Sequence, residues 1–498
     1  MLETAVAQLR FAASIALGMQ FSFWSLDRLV SAMGDTRQEF GSIGPDGAEV
    51  IGGPALDEDT RRQVQLRRFR KQAGRAQGTT YYQNVFQNLR LNPGKLSYDD
   101  IQCIPITPKE ALRDDPDAFV NRKAKPYLCA MTTGTTGRPT SIYFSEYELK
   151  TAVALSAMAF LFSGQIGAKD IVQISSSSRA TLGNIGLAGG CARIGAMVYL
   201  AGLVEPAQAL ALLAEEHRLP DKKPRASVLS TYPSYLGALV ESGLRLGYQP
   251  ADFGLEHIFI GGEVVTEGLK ARAEELFGPV VFIENYAMTE TIPFGGTLCT
   301  QGHLHFETAH GLLEIINPET SAPALPGEAG TIVATPFPPF RETTLLLRYD
   351  TEDMVRPMDG PLTCELRHLT ATTNILGKLR LSVCHQQGWT FPADVLGALE
   401  SVREVPLPAR CGFWAVPGGI AVEVVVRENR TSVRRKLQAQ LEQRGVPLQE
   451  LHLLEHPSQL QQPLPLRCDL LETSFDSPSL GSILGGDSPL NGVAGRMP

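Results

Sequence analysis

Three segments hold residues whose types and spacing could do chemistry. MTTGTTGRPT (131–140) sets Gly134 and Gly137 among Thr132, Thr133, Thr135, Thr136 and Thr140, just ahead of a strand-like SIYF. Glycines let backbone N–H groups turn inward and threonine hydroxyls add donors, so such a loop suits a phosphate; the alternative is a Thr-rich turn between strands. It is not the P-loop signature, which needs four residues between its glycines and Lys-Ser/Thr after them. Only Thr135 and Thr136 separate the glycines here. GGE (261–263) and NYAMTE (285–290) follow or end apolar runs, and they add two glycines, an aromatic and two carboxylates.

These segments need a scaffold. KDIVQISSSS (169–178), GAMVYLAG (195–202), ASVLST (226–231), LEHIFIGGE (255–263) and VVFIENY (280–286) read as buried strands. ALALLAEEH (209–217), YLGALVESGLRL (235–246) and EGLKARAEELF (267–277) read as helices between them. The alternation predicts an α/β domain with largely parallel sheet, whose ligands sit beyond the carboxyl ends of the strands. GGE and NYAMTE fall at such ends. Residues 300–375 read as a β-rich subdomain, and AVEVVV (421–426) with SVRRKLQAQLEQRG (432–445) as part of a small α+β domain. The expected division is a large domain over 1–376, a small mobile domain over 377–473, and a Ser/Gly/Pro-rich, disordered tail over 474–498.

With 498 residues the chain exceeds one compact core. A net charge of −8 argues against a nucleic-acid partner. No apolar run reaches the length of about 18 that a membrane span needs. FAASIALGMQFSFW (11–24) lacks a basic leader and is expected to be a packed helix, not a signal peptide. RRQVQLRRFRKQAGRAQ reads as a helix with a solvated basic face. The eight cysteines are scattered, without zinc-finger spacing, which predicts buried, inert thiols in a reducing cytoplasm. His303, His305, His310 and Glu307 in GHLHFETAH read as a polar loop-and-strand edge, with metal binding as the alternative.

TTGTTGRPT, GGE, NYAMTE, RYDTED (348–353) and LGKL (376–379), in this order, resemble the adenylate-forming superfamily of acyl-CoA ligases, adenylation domains and luciferases. The phenylacetate-CoA ligase-like branch is the nearest, since its loop also ends in Pro-Thr; YYQNVF and IPITPKEALRDDPDAF (104–119) resemble its N-terminal segment. The resemblance implies carboxylate attack on the α-phosphate of ATP, pyrophosphate release, and passage of the acyl-adenylate to a thiol or amine. By the same resemblance Thr132, Thr133, Gly134, Thr135, Thr136 and Gly137 cradle the β- and γ-phosphates, and Glu290 holds Mg²⁺. Thr289 touches the α-phosphate, Tyr286 stacks on adenine and Asn285 reads its amino group. Gly261 and Gly262 admit the adenine, Glu263 either joins them or caps the next helix, and Asp353 accepts from both ribose hydroxyls.

Departures matter as much. Ala287 and Glu352 replace frequent glycines, Lys378 stands where an arginine is usual, and the acidic hinge residues are missing from GKLRLS. No lysine follows Lys436, so Arg467 is the nearest counterpart of the C-terminal lysine that bridges carboxylate and α-phosphate in the family. Tyr232, Tyr235, Ala287, Pro293, Phe294 and Gly295 are expected around the acyl group, whose apolar character favours an aromatic or apolar acid. Coenzyme A is the expected acceptor. Amide formation with an amine, or nucleotide binding without catalysis, are the alternatives.

Overall fold

The computed structural model describes residues 2–41, 57–132, 139–177, 181–358, 360–428 and 430–470. The 474–498 tail and residues 133–138 of the Thr/Gly loop lie outside this set. A hairpin comes first, β1 (Pro126–Met131) with β2 (Ser141–Ser145). Next come β3 (Ile171–Ser175), β4 (Met197–Leu200), β5 (Val228–Thr231), β6 (His257–Ile260) and β7 (Val281–Ala287), alternating with helices. They pair in parallel in the order β4-β3-β5-β6-β7. Every residue of β3 is buried, as a strand covered on both faces by helices requires. The sheet then turns antiparallel through β8 (Gly295–Leu298) and β9 (His303–Phe306).

A second, antiparallel sheet contains β10 (Gly311–Ile316), β11 (Gly330–Pro336) and β12 (Tyr349–Val355). β13 (Thr370–Thr373) returns to the first sheet beside β9, and β14 (Gly377–Lys378) closes the second beside β12. After a short hairpin, β15 (Val383–His385) with β16 (Gly388–Thr390), the small α+β unit begins. Its sheet of β17 (Cys411–Val416), β18 (Gly419–Val425) and β19 (Leu448–Leu454) shares one core with the helices Pro392–Glu400 and Thr431–Gln443. The fold is thus mixed α/β, with a parallel-rich sheet and antiparallel sheets, as the sequence pattern predicts.

Two expectations change. The 11–24 stretch is not one helix: Leu2–Leu17 ends, Gly18 turns at φ +57°, and Phe23–Phe40 starts afresh. Both helices share a core with the helix Glu146–Ser163. The basic face of the helix Glu58–Ala76 is not wholly solvated either. Arg68 is buried and donates to the Ala309 and Ile15 carbonyls, so one charge of that face serves tertiary packing. Among the described residues no helix is long and apolar enough to cross a membrane.

Candidate active site

From β3 the chain crosses to β4 on one side and then to β5 on the other. That reversal leaves a crevice at the carboxyl ends of the strands. A cavity of about 500 Å³ opens there, lined by Ser176 after β3, Tyr232 after β5, Gly261–Glu263 after β6 and residues 285–290 at and beyond the end of β7. The β1–β2 hairpin, which flanks the Thr/Gly segment, lies beside it. Thr132 and Thr140 close the base of the loop: the Thr132 N–H donates to the Thr140 carbonyl (3.0 Å), and the Thr140 N–H to Thr132 Oγ1 (2.9 Å). Both threonines line the cavity, whereas Thr133, Gly134, Thr135, Thr136 and Gly137 lie outside the described residues.

Glu290 is 2% exposed, at the foot of the cavity. Lys109 Nζ stands 3.2 Å from its Oε1, and the Tyr349 hydroxyl donates to the same oxygen at 3.2 Å. Burial is the largest influence and would raise the pKa of this carboxyl, but the Lys109 ammonium, a backbone hydrogen bond and the Lys378 charge together outweigh it and hold the group below its usual range. Burial likewise disfavours the charge on Lys109, and Glu290 and Asp353 outweigh it, so the ammonium persists above its ordinary pKa. An ionised carboxylate at a cavity wall fits a hard cation such as Mg²⁺, which keeps most of its waters and needs few protein oxygens.

A second cluster forms where β12 meets β14. Asp353 pairs with Lys378 across the ladder, Lys378 Nζ reaching Asp353 Oδ1 at 2.7 Å and the Thr351 carbonyl at 3.0 Å. The Tyr286 hydroxyl donates to the other Asp353 oxygen at 3.0 Å. Desolvation lowers the Lys378 pKa despite that carboxylate. Glu352, between these groups, has φ +60°, the left-handed conformation that glycine takes freely. Asp350 accepts from its N–H (2.8 Å) and Arg380 pairs with its carboxylate (2.7 Å). These contacts hold a glutamate where the backbone conformation favours glycine.

The third group comes from the far end of the chain. Arg467 opens a short 3₁₀ turn, Arg467–Leu470, that brings its guanidinium to 4.8 Å above the Tyr232 ring. Its Nε donates to the Gly262 carbonyl (2.9 Å), and its backbone N–H to Glu263 Oε1 (2.6 Å). The other Glu263 oxygen accepts from Ser234 N (2.9 Å). Glu263 thus caps the helix Pro233–Leu246, whereas the next helix, Glu267–Phe277, is capped by Thr266. Gly262 has φ +84°, and a Cβ there would meet the Arg467 guanidinium at 3.1 Å. Gly261 is equally constrained, since its Cβ would meet the Asn285 carbonyl at 2.7 Å.

Asn285, Tyr286, Ala287, Thr289 and Tyr232 line the cavity as expected. Tyr235, Pro293, Phe294 and Gly295 do not. Tyr235 is fully buried among helices and donates to the Val204 carbonyl (2.6 Å). Phe294 stacks in the core on Phe306, and Gly295 pairs with Ala287, where a Cβ would strike the Tyr286 carbonyl. Pro293 lies beside them, before β8. Lys109 was missed by sequence reasoning. It lies on the short helix Lys109–Asp114, and nothing in the local pattern marks its distant partner Glu290. Its one signal is that it sits inside the segment IPITPKEALRDDPDAF.

GHLHFETAH divides in two. His310 meets Phe340 edge-to-face, away from β9. His303 and His305 meet Cys299 and Cys364 instead, so the expected polar edge is a Cys/His cluster. Among the eight free cysteines Cys103, Cys129 and Cys384 are exposed, against the expectation of buried thiols throughout.

No profile of a known protein family matches the chain. Over 334 residues it is 26% identical to the phenylacetate-coenzyme A ligase of Thermus thermophilus, covering 65% of this chain and 72% of that one. Over 307 residues it is 25% identical to the phenylacetate-coenzyme A ligase of Aromatoleum evansii, covering 60% and 67%. Among solved structures it overlays 2-hydroxyisobutyryl-CoA ligase in the postadenylation state, bound to R3-HIB-AMP, with a TM-score of 0.67 at 18% identity over 80% of this chain and 87% of that one. The same ligase in the thioesterification state, with 2-HIB-AMP and CoA, gives 0.57 at 18% identity over the same shares. The chain is thus similar in sequence to two phenylacetate-coenzyme A ligases and in fold to 2-hydroxyisobutyryl-CoA ligase.

Proposed function

We propose that this protein activates an aromatic or apolar carboxylic acid with ATP and passes the acyl group to coenzyme A. The observation that supports it best is the convergence of Glu290, Lys109, Asp353, Lys378 and Arg467 on one cavity at the switch point of the parallel sheet. In the first half-reaction a carboxylate oxygen attacks the α-phosphorus, and pyrophosphate leaves. In the second a thiol sulfur attacks the acyl carbon, and AMP leaves. Glu290 would hold Mg²⁺, which neutralises phosphate charge when bound. Lys109 would add a fixed cation beside it, and Asp353 would exchange its Tyr286 and Lys378 partners for the ribose diol. Thr289 and Asn285 would read the α-phosphate and adenine from the β7 end, and Arg467 would take the role of the absent lysine. We assign 1–376 as the fixed part and the small domain that follows as the part that rotates. The better overlap with the postadenylation-state fold than with the thioesterification-state fold accords with Arg467 standing inside the cavity.

The test is pyrophosphate release with ATP and Mg²⁺ over a panel of aryl and aliphatic acids, without acceptor, with CoA and with amines. Release should require an acid, be increased by CoA, and fall about 100-fold in Arg467→Ala, the usual cost of removing one preorganised donor. Stimulation by amines and not by CoA would reassign the product as an amide. ATP binding without release would end the catalytic reading.

A further inference from the structure

We propose that Cys299, His303, His305 and Cys364 form a structural zinc site, separate from the nucleotide cavity. Their donor atoms all lie within 4.8 Å of one another. A tetrahedron with zinc bonds of about 2.0–2.3 Å has edges of roughly 3.3–3.8 Å, so small side-chain adjustments close it on the metal. Cys364 Sγ is 3.2 Å from His305 Nε2, and Cys299 Sγ accepts from the His303 N–H at 3.3 Å.

The local structure explains why these four meet. His303 and His305 are two apart on β9, so a strand puts both rings on one face. Cys299 directly follows strand β8, and a tight turn closed at Gly302 (φ +81°) returns the chain beneath those rings. Cys364 arrives from the segment leading into β13, which pairs Ala371 with His305 and Thr373 with His303. A second layer fixes the two loops: the Glu365 carboxylate accepts from Thr300 N (2.8 Å) and Thr300 Oγ1 (2.7 Å), and Gln301 donates to Thr363 (3.2 Å). Both thiols and His305 are buried. His303 Nδ1 is also buried, with no hydrogen-bond partner among the described residues. Two soft sulfurs and two imidazoles in a closed shell select zinc, and four protein ligands leave no open position for catalysis.

The site would act as a clip. Leu298 and Leu304, on the strands flanking the turn, line the nucleotide cavity, as do Asn374, Ile375 and Lys378 beyond β13. Joining the β8–β9 turn to the segment before β13 would therefore fix one wall of that cavity without touching the reacting groups.

The experiment measures metal in the full chain purified after expression with zinc, by mass spectrometry of the metal and by cobalt substitution. One zinc per chain is expected, with thiolate-to-cobalt charge-transfer bands in the substituted protein and a melting temperature that falls on chelation. Cys299→Ser/Cys364→Ser should lose metal and bands. His303→Asn, a milder change, should weaken retention against a chelator at least tenfold while the chain stays folded by circular dichroism. Metal-free protein whose melting is unmoved by added zinc would overturn the proposal. So would a Cys299–Cys364 disulfide in place of metal, or unchanged zinc content in the folded variants.

Discussion

The pair of Lys109 and Glu290 shows what single residues decide in this site. Both side chains are almost fully buried, 9% and 2% exposed, so each charge depends on the other. Removing one partner of such a pair typically costs about 3–5 kcal/mol, because the remaining charge is stranded, while removing both is far milder. Glu290→Gln should therefore destabilise the protein by about that much in urea denaturation, and Lys109→Met should partly restore it. Additive losses would show that the two do not act as a pair. The pH dependence follows in sign. Glu290 is held below its ordinary pKa, so its contribution is present above about 4.5 and is lost as the pH falls through the lower, folded value. Lys109 is held above its ordinary pKa, so its contribution is complete below about 10.5 and is lost as the pH rises through the higher, folded value. The difference between wild type and variant should thus be flat through neutral pH. Glu290 was legible in NYAMTE because a motif carried it, whereas Lys109 was not, since its meaning lies in a partner that only the tertiary fold supplies. Tyr235 and Phe294 misled for the converse reason: an aromatic near a motif looks the same in sequence whether it faces a cavity or the core.

Among the elements, the turn after β6 places a strict sequence requirement beside the cavity. Gly262 needs φ +84° and leaves no room for a side chain beneath Arg467. Gly262→Ala should cost about 1–2 kcal/mol of backbone strain and push the guanidinium off the Gly262 carbonyl and the Tyr232 ring. Its rate of acid-dependent pyrophosphate release should fall as in Arg467→Ala, and combining the two should cost little more, because both remove one interaction. A combined loss near the product of the two single losses would show that Gly262 acts independently of Arg467. The parallel strands were readable because their apolar runs are short and separated by helical periodicity, and the helix Glu267–Phe277 matches its sequence pattern end to end. In sequence the GHLHFETAH histidines have no visible pair of cysteine partners, because Cys364 follows them by a long gap and the β13–β9 pairing brings its segment back.

At the scale of the molecule, the small α+β unit rests on the helices Pro233–Leu246 and Glu267–Phe277, and the Glu400 carboxyl is among the titratable groups buried in that junction. Glu400, the last residue of the helix Pro392–Glu400, accepts from the Thr266 hydroxyl across the boundary. Gly268 admits the end of this helix, since a Cβ there would meet the Glu400 carbonyl at 2.5 Å. Beside them Arg272 donates to the Val405 carbonyl (2.8 Å), while Glu241 accepts from the Leu407 N–H (2.8 Å). Burial raises the Glu400 pKa, and the bonds from Thr266 and Ala409 only partly offset it. In the docked arrangement the carboxyl therefore holds its proton more tightly than when solvated. If the small domain undocks as proposed, the docked state gains from low pH, and that advantage is lost as the pH rises from the solvated value of about 4.5 through the raised, docked one, with a slope of at most about 1.4 kcal/mol per pH unit. Glu400→Gln keeps the Thr266 bond and removes the charge, so docking should lose this slope and become tighter at neutral pH. Fluorophores on the two domains, read by energy transfer across a pH series, should report a closed fraction that falls with pH in wild type and is flatter in the variant. Tighter docking should also slow whichever half-reaction needs the undocked arrangement, so acyl-CoA formation should drop while acid-dependent pyrophosphate release without acceptor persists. Equal pH slopes in the two proteins would show that Glu400 stays solvated, and that the junction does not open and close around it.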